Sequence, residues 1–280
     1  MSYDGYGIGH DLAGGSGGKV IVIAGLAFEA RIAAGTGLRV ICSGDGKDLA
    51  AKISRSITRD CRGLISFGVS GGLAPELEPG TCVIGSSIIS STGTHATDHA
   101  WSKRLVDTLP NTVYGPLMGV PSPVADPDTK RALHKQTGAV AVDMESHVVA
   151  GVAAARGLPM VAIRVVTDPA KRTIPQTAIA AMRHDGTVDV MAMMRSLIKT
   201  PSDLAGLLRV AMDARAARST LRKGRLLLGA RFAHPEHHEH GLAEKFGLHA
   251  HRTNEPVMGF TPYLPSVSLL ADRRAYQRAE

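Results

Sequence analysis

Asp143 and Glu145 stand two residues apart, where a short apolar run (Val140 to Val142) gives way to the small-residue stretch Ser146–Arg156. Farther along, the nearly all-apolar run Pro159–Val166 ends on Thr167-Asp168-Pro169. In a parallel α/β sheet, residues just past the carboxyl ends of strands face the ligand crevice. The pattern therefore predicts Glu145 and Asp168 side by side at one site, which is a catalytic arrangement in outline. Each residue also has a plainer reading. Glu145 can stabilise the first turn of the helix it opens, and Asp168 before proline can be a turn residue.

The elements that must position these carboxyls alternate along the chain. Val20–Ala24, Leu38–Cys42, Gly63–Phe67, Thr81–Ser90, Val140–Val142 and Pro159–Val166 read as strands. Gly46–Thr58, Asp126–Gln136, Ser146–Arg156 and Val188–Ile198 read as helices. Such alternation predicts an α/β protein of three layers (αβα) around a central mixed, largely parallel sheet. Pro201-Ser202-Asp203 breaks the chain and caps a further helix, Leu204 to about Leu228. That helix carries Leu204, Leu207, Leu208 and Ala211 on one face. It reads either as a terminal helix packed on the core or as a membrane-surface helix.

With 280 residues, 44% of them hydrophobic, the chain can bury a substantial core. Its first eighteen residues lack the basic and apolar regions of a secretory signal and read as a flexible glycine-rich leader, residues 1–18. Cys42, Cys61 and Cys82 are read as reduced thiols of a cytoplasmic protein. No CxxC or His/Cys spacing supports a metal site among them, and neither a metal nor a cofactor is expected. The net charge of +7 would permit nucleic-acid binding, but no recognition motif accompanies it. Much of the excess falls on Arg209, Arg215, Arg218, Arg222, Lys223 and Arg225, which suits an anionic lipid surface. Past Gly229 the composition shifts to HPEHHEHGLAEKFGLHAHR. Residues 230–280 are accordingly expected to form a poorly ordered tail outside a catalytic domain at 19–229. Its His234, His237, His238 and His240 could bind a metal adventitiously but read as part of a solvated tail.

Three further segments join the DMES…TDP stretch: Ile23-Ala24-Gly25-Leu26-Ala27-Phe28-Glu29, Cys42-Ser43-Gly44-Asp45-Gly46-Lys47 and Phe67-Gly68-Val69-Ser70-Gly71-Gly72-Leu73-Ala74-Pro75. Each is a strand end with glycines, where backbone can approach a ligand and offer N–H donors. Their order and spacing from Lys19 to Leu228 resemble the purine nucleoside phosphorylase and nucleosidase superfamily. Within it the look is of methylthioadenosine/S-adenosylhomocysteine nucleosidases and, closest, of the hopanoid-associated phosphorylase group.

The resemblance implies roles. Asp168 would give a proton toward N7 of the purine. Glu145 would hold the ribose hydroxyls, with Met144 packed under the sugar and Ser43 and Gly44 lining the sugar side. Gly68, Val69 and Gly71 would shape the nucleophile and base side, and Pro123 and Val124 would run past the adenine. Where phosphorylases of the family present arginines to phosphate, this chain has Glu29 or Ala30, and Ser66. Glu29 in the water-activating position favours hydrolysis, while nearby Arg31 keeps inorganic phosphate open as a co-substrate. Glu29 can also be a plain helix N-terminal acid.

Bond cleavage of this kind builds positive charge on the ribose and negative charge on the leaving purine. A carboxylate on the 2′-OH and an acid near the base meet those two demands. Segments that look shorter than those walling the 5′ pocket of the nucleosidases imply a bulky, lipid-linked 5′ substituent and adenosylhopane as substrate. The alternatives are a methylthioadenosine/S-adenosylhomocysteine nucleosidase and a silent nucleoside- or lipid-binding module. A homo-oligomer is expected from the resemblance, together with weak contact at the inner membrane face; nucleic acid is not.

Overall fold

The computed structural model describes residues 19–43, 48–173 and 204–235. The strands are β1 (Lys19–Ala24), β2 (Leu38–Cys42), β3 (Cys61–Gly72), β4 (Cys82–Ser90), β5 (Gly93–Ala96), β6 (Thr112–Gly119), β7 (Ala141–Asp143) and β8 (Met160–Asp168). Among the described residues the helices are α1 (Ala27–Ala33), α2 (Leu49–Ser56), α3 (His99–Thr108), α4 (Pro127–Thr137), α5 (Ser146–Arg156) and α6 (Leu204–Leu227).

Among the described residues, all eight strands join one sheet. Parallel pairing links β1 to β2 and β3, β3 to β8, β4 to β6, and β6 to β7. Antiparallel pairing links β3 to β7 and β4 to both β5 and β8. The expected mixed, largely parallel sheet is what forms. Following partners from β3 through β8, β4, β6 and β7 leads back to β3, a barrel-like closure that leaves β1 and β2 as a wing.

The twelve-residue β3 serves two neighbours along one edge. Its first half, Cys61–Ser66, pairs with β1, and its last two residues, Gly71 and Gly72, pair with β7. Between them, Phe67–Ser70 have no strand on that edge among the described residues. β8 stays alongside the other edge throughout. A change of partner at strand carboxyl ends opens the crevice in which α/β sheets bind ligands.

Alternating side chains build a core on each face. Ile21, Ile23, Leu64, Ala162 and Val166 pack under α2 and α5. Val20, Val22, Ile65, Phe67, Ile163 and Val165 pack under α1, α3 and α6. Strands covered on both faces read as continuous apolar runs, which is why β1 and β8 are visible in the sequence. The elements β5, α3 and β6 had no such signature and were not expected. Asp98 starts α3 by accepting the Trp101 N–H at 2.8 Å. The helix expected at Val188–Ile198 lies outside the described residues.

Two expectations at the far end are corrected. Helix α6 packs through Ala217 and Leu221, both buried, whereas Leu208 of the expected apolar face is 58% exposed. Nor does the core end at Gly229. Phe232 is fully buried and meets Phe67 edge-on at 5.3 Å, and its carbonyl accepts the Trp101 Nε1–H at 2.8 Å. His234 is buried too, edge-on to Trp101 at 4.6 Å, rather than solvated. Arg225 lies over the Phe232 ring at 4.7 Å. The packed body therefore reaches at least Pro235; a single anchoring aromatic carries no periodic signal. No helix among the described residues is long and apolar enough to cross a membrane.

Candidate active site

Glu29 occupies the first turn of α1, immediately past β1, and is 1% exposed. Its Oε2 accepts the Leu26 N–H at 2.8 Å, meeting one of the orphan donors of the helix start. Its Oε1 accepts the Val69 N–H at 2.7 Å, in the stretch of β3 that has no strand beside it on the β1 edge. The carboxylate thus fills the gap between β1 and β7. A Cβ at Gly68 would lie 2.6 Å from Glu29 Oε1, and one at Gly25 would lie 2.6 Å from Glu145 Oε1. The missing Cβ atoms of these glycines leave room for the two carboxylates, and the Val69 N–H is bonded to Glu29.

The hub of the cluster is Arg164, which the sequence reading missed. It is 1% exposed and is the only charge in the buried part of β8. Its Nη2 lies 2.9 Å from Asp143 Oδ1, 3.3 Å from Glu145 Oε2 and 2.5 Å from Ser66 Oγ. Its Nη1 donates to the Val69 carbonyl at 3.2 Å. Asp143 Oδ1 also accepts the N–H groups of Glu145 and Ser146, at 2.9 and 2.7 Å. Asp143 therefore secures the start of α5, which leaves Glu145, at the N-cap position without a capping bond, facing the arginine. The plainer reading of Glu145 as a helix-start acid belongs to Asp143 instead. A lone charge inside an apolar run was the signal that could have found Arg164. Arg31, which had kept phosphate open, is exposed.

Burial dominates the protonation of these groups. It raises the Glu29 carboxyl to about 7, with Glu145 adding to the rise and Arg164 opposing it. Burial also lifts Glu145, against the pull of Arg164. Arg164 is held above its ordinary value: burial works against its charge, but Asp143, Glu145 and Glu29 more than offset it.

Asp168 ends β8 with its own cation. Its Oδ2 accepts from Lys130 Nζ at 2.6 Å and its Oδ1 from the Thr167 hydroxyl at 3.0 Å. Burial raises its carboxyl, while Lys130 and Thr167 oppose the rise. Glu145 and Asp168, expected side by side at one site, meet different cations. The two carboxyls belong to separate ion pairs, one on Arg164 and one on Lys130. Gly71 pairs with Asp168 across the β3–β8 ladder, where a Cβ would come within 3.0 Å of Asp168 Oδ2.

Met144, between Asp143 and Glu145, is 38% exposed, a large apolar side chain at the rim of the cluster. Ser43 is buried at the end of β2, and its Oγ has no hydrogen-bond partner among the described residues. Gly44 lies outside the described residues. Pro123 is exposed, and Val124 packs beside Leu73 and Val142. Neither joins the network of ion pairs. A cavity of about 390 Å³ lined by Phe67, Cys82, Ile163, Val165, Leu221 and Leu228 contains none of the carboxylates.

Buried carboxylates around one arginine, at the point where a mixed α/β sheet changes partners, define a ligand-handling enzyme site. The chain belongs to the phosphorylase superfamily, whose model matches residues 15–203. No curated protein matches the sequence. Solved structures share the fold. The 5′-methylthioadenosine/S-adenosylhomocysteine nucleosidase of Helicobacter pylori aligns over 66% of this chain and 99% of its own, at 13% identity and TM-score 0.51. The futalosine hydrolase of the same organism aligns over 64% and 98%, at 14% identity and TM-score 0.51. A structure from Francisella philomiragia, described as a putative nucleosidase of the first type, aligns over 75% and 96%, at 13% identity and TM-score 0.53.

Proposed function

We propose that this protein cleaves the N-glycosidic bond of a purine nucleoside with water as the nucleophile. The observation that carries this reading is the surplus of buried acid around one arginine. Asp143, Glu145 and Glu29 all act on Arg164, so its charge is already engaged by carboxyl groups rather than offered to a phosphate dianion, whereas a neutral water needs no such cation. Glu29, with its carboxyl raised to about 7, is matched to taking a proton from water near neutrality. Glu145 is the group for the ribose 2′-OH, its hold strengthening as the oxocarbenium forms. Asp168 delivers a proton to N7, so that the base leaves neutral as the C1′–N9 bond breaks. The water oxygen bonds to C1′ and its proton passes to Glu29.

For the particular nucleoside we propose adenosylhopane, giving ribosylhopane and adenine. The GLAFEARIA, FGVSGGLAP, VDMES and TDPA segments support it by their resemblance to the hopanoid-associated group. A homo-oligomer and weak contact with anionic lipid belong to the same reading. The test is incubation with adenosylhopane, methylthioadenosine or S-adenosylhomocysteine, with and without phosphate, followed by mass analysis of the sugar. Free ribosylhopane whether or not phosphate is present is the expected result. A phosphorylated sugar would overturn the role of Glu29, and turnover of methylthioadenosine alone would overturn the lipid substrate. Asp168→Asn should lose on the order of 10²–10⁴-fold in rate.

A further inference from the structure

Helix α4 is polar along almost its whole length, PDTKRALHKQT, yet Lys130 is fully buried and is its one buried residue. The lysine approaches from inside the protein: its side chain is 0% exposed, against 17% for Asp168. Its three ammonium protons all have acceptors on one short segment: Asp168 Oδ2 at 2.6 Å, the Arg172 carbonyl at 3.1 Å and the Pro169 carbonyl at 3.3 Å. Burying a cation is expensive unless it is paired and hydrogen-bonded. A clamp joining α4 to the turn after β8 could be built from uncharged side chains, so the charge itself needs a use.

We infer that Lys130 is a positioning residue for the general acid, holding Asp168 by Oδ2 and stabilising the carboxylate left when the proton departs. This rests on the assignment of Asp168 as the acid. With Oδ2 fixed on the ammonium, Oδ1 is the oxygen left to deliver the proton, and the Thr167 hydroxyl at 3.0 Å restricts its swing. The proton leaves Oδ1 for N7 while the C1′–N9 electron pair moves onto the base. Lys130 does not touch substrate. A nearby cation makes a carboxylic acid stronger, typically by about 1–3 pKa units, so the lysine favours transfer to a weakly basic leaving group.

The consequence depends on the leaving group, which distinguishes it from a structural role. Purines need protonation to depart; 4-nitrophenolate does not. Lys130→Met and the amide-bearing Lys130→Gln would each be assayed on the purine nucleoside and on a 4-nitrophenyl riboside with the same 5′ substituent. Both variants should lose at least about tenfold in kcat on the nucleoside relative to the nitrophenyl riboside, and Lys130→Arg should recover part of the loss. Equal losses on both substrates in a folded variant would reduce Lys130 to a clamp and overturn the inference. If Lys130→Met does not fold, Lys130→Gln, which keeps hydrogen-bond donors, carries the test. Asp168→Asn separates the two ideas. If it keeps purine turnover, Asp168 is not the acid and the parent assignment falls. If it loses purine turnover selectively while the Lys130 variants do not, only the inference about Lys130 falls.

Discussion

Replacing Glu29 by glutamine should abolish turnover yet leave a protein that gains stability over the wild type as pH rises. The carboxyl ionises near 4.5 in the unfolded chain and near 7 in the folded one. Between those values the folded state holds a proton that the unfolded state has released. Wild-type stability contributed by this proton is therefore complete below about 4.5, declines as pH rises, and is gone above about 7. A rise from 4.5 to about 7, at about 1.4 kcal/mol per unit, corresponds to roughly 3 kcal/mol. Most of that, about 2–3 kcal/mol, falls between pH 5 and 8. Glutamine cannot ionise, so the difference in unfolding free energy should move in its favour by that amount across the interval. Any fixed cost of the substitution, such as one lost N–H bond from Leu26 or Val69, shifts the whole curve without changing its slope. Urea unfolding can be followed by the fluorescence of the chain's one tryptophan, the buried Trp101. Parallel pH curves for the two proteins would mean that Glu29 ionises in the folded state as an ordinary carboxylate. The case for a base poised near neutrality would then be lost.

Three other outcomes are expected. Glu145→Gln should lower kcat more than it weakens binding, and a 2′-deoxy nucleoside should be almost indifferent to the change; simple additivity of the two losses would show that Glu145 does not contact that hydroxyl. Ending the chain after Gly229 removes Phe232 and should cost roughly 3–5 kcal/mol, whereas ending it after Pro235 keeps that anchor; equal thermal melts for the two truncations would return the edge of the core to Gly229. Co-sedimentation with anionic vesicles at low salt should depend on Arg215, Arg222 and Lys223, which are exposed on α6, and not on Arg225, which is engaged with the Ala33 carbonyl at 3.1 Å and with Phe232. Equal binding to neutral vesicles, or to none, would make α6 a packing element only.

What the sequence determined by itself was everything carried by local pattern. The apolar runs of β1 and β8 declare covered strands because both faces lie against helices. Asp143, Glu145, Asp168 and Glu29 declare themselves by standing at strand ends. Tertiary structure alone decided which partners each carboxyl meets. Asp143 and Glu145 are equivalent on paper, and both meet Arg164, but only Asp143 also accepts the N–H groups that open α5. Gly25 and Gly68 show in the sequence only as strand-end glycines, and folding brings Glu145 and Glu29 into the space their missing Cβ atoms leave. Lys130 reads as one more polar residue on a solvated helix, because nothing in α4 shows that one turn of it lies against Asp168. Phe232 likewise joins the core through Trp101 and Phe67, far away in sequence. Ion pairs and anchors of this kind depend on distances between segments that meet only after the chain has folded, and no periodicity within a segment encodes them.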